Sequence, residues 1–205
     1  ISDKAPYDYF HINSVELDAD GNYLVSARNT WGIYKIHRGS GEVMWRLGGK
    51  KSDFTMGPGT GFAWQHDARH HGATDQLISL FDDGAAPKVQ PQSKALVLAL
   101  DTKRMRATLH KQYVHHPPLL AHALGSTQIL PNGNVLVGWG TAPYMTEYDR
   151  HGKVVFDARL PKGGENYRAL RFPWKGRPAK APDIVHKEES GKHVVYASWN
   201  GATNS

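Results

Sequence analysis

Asp20-Gly21-Asn22-Tyr23-Leu24-Val25-Ser26-Ala27-Arg28, followed by Ile33-Tyr34-Lys35-Ile36 and Gly41-Glu42-Val43-Met44-Trp45, recurs 112 residues later with one single-residue gap. The second copy reads Asn132-Gly133-Asn134-Val135-Leu136-Val137-Gly138-Trp139, then Met145-Thr146-Glu147-Tyr148, then Gly152-Lys153-Val154-Val155-Phe156. Each copy spells turn, strand, strand, turn, strand. Asp-Gly and Asn-Gly provide the positive φ of tight hairpin turns. The intervening runs are short and rich in Val, Ile, Leu, Tyr and Trp, as strands are.

Between the copies lies another unit. Gln76–Phe81 reads as a strand ending at Asp82-Asp83-Gly84, Ala95–Leu100 as the next, and Ala107–Tyr113 returns after the Asp101-Thr102-Lys103 turn. A further unit starts near Tyr167 and includes Ile184–Lys187 and His193–Ser198. The internal period is therefore about 56 residues, and no useful stretch has helical periodicity. Four-stranded units at this spacing predict an all-β fold, a β-propeller. An open sandwich of hairpins is the alternative. About three complete four-stranded blades plus part of a fourth are expected, near residues 11–50, 62–116, 124–160 and 167–205, as one partial propeller domain over 1–205. So few blades cannot close a ring of the usual size, so the chain reads as a fragment whose partners include the remaining blades of the same protein.

Composition narrows the function classes. With 40% hydrophobic and 21% charged residues the chain is too apolar for disorder. No apolar run is long enough for a membrane span. The chain lacks cysteine, which excludes disulfides, thiolate metal sites and a Cys nucleophile. The net charge of +6 is scattered over the chain, without the basic block expected of a nucleic-acid binder.

In a propeller the innermost strand of each blade faces the central channel. The candidates are His11–Leu17, Trp64–Arg69, Ser126–Leu130 and Tyr167–Arg171. Each begins with polar groups: His11 and Asn13, Gln65 and His66, Ser126 and Gln128, Tyr167 and Arg168. Their convergence predicts a cationic, hydrogen-bonding floor suited to an oxyanion such as sulfate or phosphate. His11, His66 and Arg28 are the candidate catalytic residues. Asn13, Arg168, Gln128, Trp64 and His122 are the candidate substrate-binding residues. Trp31, Trp64, Tyr144 and Trp174 are available to sandwich an aromatic ring.

The remaining histidines read differently. His70-His71 and His115-His116 fall at expected loops and read as solvated. His66 and His70 have the offset of a helical zinc pair, but the segment reads as strand, so no metal or other cofactor is expected. Asp82-Asp83-Gly84 reads as a turn, lacking the carboxylate spacing of a calcium loop.

Asp8-Tyr9-Phe10-His11-Ile12-Asn13-Ser14 is similar to the Asp-Trp-x-His-x-Asn-Ser segment of arylsulfotransferases. Leu24–Arg28, Gly41–Gly49, Trp64–Arg69, Leu80–Gly84, Leu130–Val135, Tyr167–Trp174 and Ser198–Ala202 extend the resemblance over nearly the whole chain. It is nearest to the branch found in fungi and actinobacteria. The resemblance implies an exported enzyme, secreted or periplasmic. Such an enzyme moves a sulfuryl group from a phenolic sulfate ester to a phenol through a histidine, without a nucleotide donor. It implies assisting roles for His11 and His66; no motif places the sulfuryl acceptor, for which His122 is the nearest candidate by order. The family's arginine after the Asp-x-Gly turn is replaced here by Gly84-Ala85-Ala86-Pro87-Lys88, leaving Lys88 and Lys94 as the nearest cations. In the expected chemistry His11 and His66 exchange protons with the phenols while Arg28 or Arg168 holds sulfate oxygens. A non-catalytic propeller acting as a binding scaffold is the alternative.

Overall fold

A computed structural model describes residues 7–72 and 76–203. The described residues contain fifteen strands and no helix. The ends of the expected domain, 1 and 205, lie outside them. The chain divides into two compact units, one up to Arg171 and one from Phe172.

The first unit holds three antiparallel sheets. The first is β1 (Ile12–Leu17), β2 (Tyr23–Ala27), β3 (Gly32–Ile36) and β4 (Val43–Gly48), in that order. The next is β6 (His66–His71), β7 (Leu77–Asp82), β8 (Lys94–Asp101) and β9 (Arg106–Tyr113), with β5 (Thr55–Met56) added in parallel outside β9. The third is β10 (Ser126–Ile129), β11 (Val135–Gly138), β12 (Tyr144–Tyr148) and β13 (Val154–Arg159). Sequential four-stranded meanders of this kind are propeller blades. In the second unit β14 (Ile184–Glu189) pairs with β15 (Lys192–Ala197) as a hairpin.

The two-residue period of a strand explains how blades pack. On β8, Leu96, Leu98 and Leu100 enter one buried cluster with Leu24, Ile33 and Leu47 of the first blade. Ala95 and Val97, on the opposite face, enter another with Val135, Val137 and Trp139 of the third. The run Ala95–Leu100 is apolar throughout because both of its faces are covered. Phe81 and Trp139 anchor the second cluster, both fully buried and edge to face at 5.7 Å. Gly125, at φ +95°, lies against the Phe81 ring, leaving no room for a side chain there.

Three expectations need correction. Tyr167–Arg171 is not a strand. Its backbone is taken by side chains instead: Ala169 N–H donates to Ser126 Oγ at 2.9 Å, and Arg171 N–H to Gln128 Oε1 at 2.7 Å. Second, the inner strand of the second blade starts at His66, not Trp64, and its pairing is broken between His66 and Arg69. Trp64 and Asp67 have φ of 60° and 52°, which interrupts a ladder.

Third, the histidines read as solvated are mostly not so. His70 and His71 lie within β6, where alternation sends them to different partners. His70 Nδ1 meets Glu16 Oε2 at 3.0 Å, and His71 Nε2 meets Ser79 Oγ at 2.8 Å. His115 is buried, with Nδ1 2.7 Å from the Pro117 carbonyl. His116 is exposed, as expected.

Candidate active site

Antiparallel meanders return alternate chain ends to one rim. The start of each inner strand and the end of the strand after it therefore meet there. His11 precedes β1 and Arg28 follows β2; the Arg28 N–H donates to the His11 carbonyl at 2.9 Å. In the second blade His66 pairs with Phe81, which brings the end of β7, with Asp82 and Asp83, to the same rim. His122 and Leu124 arrive from the segment before β10. Five non-glycine residues here have left-handed backbone: His11, Trp31, Trp64, Asp67 and Leu124. Such conformations cost energy and concentrate where side chains must be aimed rather than packed.

His66 is the centre of the arrangement. It is 4% exposed. Leu124 N–H donates to its Nε2 at 3.3 Å, so the ring proton sits on Nδ1. That nitrogen lies 2.7 Å from Asp83 Oδ2 and 3.1 Å from the Trp64 carbonyl. Burial first, then the Arg28 charge, with His11 and Arg168 adding less, pushes the His66 pKa down to about 4. Burial raises Asp83 well above the usual carboxylate range, and raises Asp82 to about 6. His66 is thus a neutral imidazole at ordinary pH, oriented through Nδ1 with its lone pair on Nε2. His11 repeats the device on an exposed ring, its Nδ1 held by Asp8.

Arg28 differs from the other cations nearby. Its guanidinium donates to the Asn29 Oδ1 and His122 carbonyl oxygens, both at 3.1 Å, and lies 4.8 Å from the Trp64 ring centroid. No carboxylate pairs with it among the described residues. Arg168 by contrast is committed, with Nε 2.9 Å from Asp67 Oδ1 and a terminal nitrogen donating to the Asn13 carbonyl at 3.0 Å. An arginine with no direct ion pair among the described residues, beside a neutral histidine, is a ready oxyanion site. Among the described residues no group of three metal-ligating side chains forms.

The family model for arylsulfotransferase (ASST) matches residues 1–160. The chain belongs to the arylsulfotransferase family. Among solved structures, the β-propeller domain of Cps50 (Swd1) from Myceliophteria thermophila superposes with a TM-score of 0.52 at 11% identity, covering 78% of this chain and 46% of that one. Virginiamycin B lyase from Staphylococcus aureus matches with a TM-score of 0.45 at 9% identity, over 74% of this chain and 42% of that one. The chain spans less than half the length of either. No curated protein matches it.

Within this arylsulfotransferase-family chain, the structure brings together His11, Arg28, Trp64, His66 and, through its backbone carbonyl, His122. Asn13 is buried just beneath, its Nδ2 donating to the Gln65 carbonyl at 2.7 Å. Gln128 lies elsewhere: both ends of its amide clamp the Arg171 backbone, at 3.1 and 2.7 Å. Lys94 is turned to Asp82, with 3.6 Å between them. Of the aromatic candidates, Trp31 stands edge to face with Trp64 at 5.1 Å. Tyr144 instead packs on His115, and Trp174 is exposed in the second unit.

Asp83 and Asp8 escaped the sequence reading. Asp8, three residues before His11, was open to notice. Asp83 sits in a turn motif that explained it fully until the strand register set it against His66.

Proposed function

We propose that this chain carries the core of a histidine-dependent aryl sulfotransferase site, with His66 as the sulfuryl acceptor and Arg28 as the sulfate clamp. The observation that carries the reading is the neutral His66, backed by Asp83 and adjacent to a guanidinium that makes no ion pair among the described residues.

The chemistry proceeds in two balanced transfers. His66 Nε2 attacks the sulfur of an aryl sulfate; the S–N bond forms as the S–O bond to the departing phenolate breaks. His11 protonates that phenolate. Asp83 steadies the charge arising on the imidazole. The acceptor phenol then loses its proton to His11 and its oxygen attacks sulfur, breaking the S–N bond and restoring His66. Arg28 holds the equatorial sulfate oxygens, where charge develops in transfers of this type. Trp64, whose ring lies beside the guanidinium, provides an aromatic wall for the phenol. His66 must shed the long bond from Leu124 N–H before it reacts, a modest cost for a 3.3 Å contact.

The test is colorimetric. The full chain is given 4-nitrophenyl sulfate and a phenol acceptor, and released nitrophenolate is followed. His66→Ala is expected to lower turnover by at least ~100-fold. Unchanged turnover in that variant removes His66 from the mechanism. The burial of His66 favours a competing reading, a scaffold that binds aryl sulfates without turning them over. Binding of the donor with no nitrophenolate release at any enzyme concentration would establish it.

A further inference from the structure

A cleft of about 800 Å³ opens beside Trp64. Trp31, Tyr34, Phe62 and Trp64 form aromatic walls, and Arg46, Lys50 and Lys51 stand on its rim. Trp64 belongs to both places: it walls the cleft, and its ring lies against Arg28. The cleft and the oxyanion site thus share one indole.

Its charge is one-sided. Arg46 is matched by Asp53 at 3.4 Å. Lys50 and Lys51 are exposed and make no ion pair among the described residues, and no Asp or Glu lines the cleft. The indole Nε1 of Trp31 is buried without a hydrogen-bond partner. The volume falls in the range of sites for small organic molecules, and it exceeds what a single phenol ring fills.

We propose that this cleft binds a fused or extended phenol bearing a carboxylate or sulfonate, its rings on the aromatic walls and its anion at Lys50 and Lys51. The site would then select phenols with a fixed anion remote from the reacting hydroxyl. That the ligand is a phenol rests on the sulfuryl-transfer reading; the preference for an anionic aromatic rests on the cleft alone.

The experiment measures binding by calorimetry, without any sulfate donor. The probes are 6-hydroxy-2-naphthoate and its uncharged primary amide, nearly equal in shape. At low salt the carboxylate is expected to bind about tenfold tighter than the amide, with the gap narrowing at high salt as screening sets in. Lys50→Glu combined with Lys51→Glu is expected to erase or invert the preference. Gly61 lines the cleft, has ordinary backbone, and nothing lies within 4 Å of where its Cβ would be, so Gly61→Trp fills the space. That variant is expected to lose both ligands while keeping its melting temperature. Equal affinities for the two probes overturn the proposal. So does a preference that survives the charge reversal, or binding that Gly61→Trp leaves intact. If the binding pattern holds but the nitrophenyl assay shows no His66-dependent turnover, the function reading fails and the cleft stands. Turnover with no probe discrimination sinks only the cleft.

Discussion

His66 Nδ1 lies 2.7 Å from Asp83 Oδ2, linking the first residue of β6 to the residue just after β7. The pair holds the imidazole in one tautomer, with its lone pair on Nε2. Asp83→Asn keeps the size and replaces the carboxyl group that faces Nδ1 of the ring. Turnover of 4-nitrophenyl sulfate is expected to fall by roughly 10²–10⁴-fold, with KM changed much less, as for other aspartate-supported histidines. Equal losses in kcat and in donor affinity would instead mark Asp83 as a purely structural residue.

The same pair makes a stability prediction with a definite sign. The folded-state pKa of His66 is depressed to about 4, below the unfolded value near 6.5. Its contribution is therefore complete above pH ~6.5 and is lost as pH falls through 4, about 3 kcal/mol in all. Asp83 acts oppositely, since its folded-state pKa is raised: its contribution is present below its unfolded value and lost as pH rises. The wild type is thus buffered between these limits. Asp83→Asn removes the opposing half, so its melting temperature should drop more steeply than that of the wild type between pH 6.5 and 4. Parallel curves would count against a raised Asp83 pKa.

Arg28 is held by two oxygens and an indole face rather than by a carboxylate. Arg28→Ala should lower kcat/KM for aryl sulfates by about 10²–10³-fold, the scale for losing a donor to developing negative charge. Arg28→Lys should recover little, because an ammonium lacks the planar fork and stacks poorly on Trp64. Full recovery by lysine would reduce the role of Arg28 to a diffuse positive field.

Phe81 carries the packing beneath the site. It is fully buried against Trp139, and it directly precedes Asp82 and Asp83. Phe81→Ala should cost about 3–5 kcal/mol of stability, read from denaturant unfolding. A loss below ~1 kcal/mol would show that the second and third blades do not share one core.

The blade pattern was open to reading because it is local. The repeated turns at Asp20-Gly21 and Asn132-Gly133 and the apolar run at Ala95–Leu100 need only nearest-neighbour geometry to interpret. The inner strand at Tyr167–Arg171 was misread for the complementary reason. Its residues look like a strand, but Ser126 and Gln128 side chains occupy the backbone groups a ladder would use. Gln128 was assigned to a ligand because it is polar and near the channel; it serves the neighbouring segment instead. His70 and His71 looked solvated until β6 proved to run past them.

The amino-acid order alone determined that this chain makes blades and that His11, Arg28 and His66 fall near strand ends, since hairpin chemistry and alternation act over a few residues. Only the tertiary structure decided which charges survive. Register placed Asp83 on His66 and Asp67 on Arg168, while Arg28 is held by carbonyl oxygens and makes no ion pair among the described residues. Pairing of charges depends on distances across blades, and burial sets how strongly each is felt; neither quantity is written in local sequence.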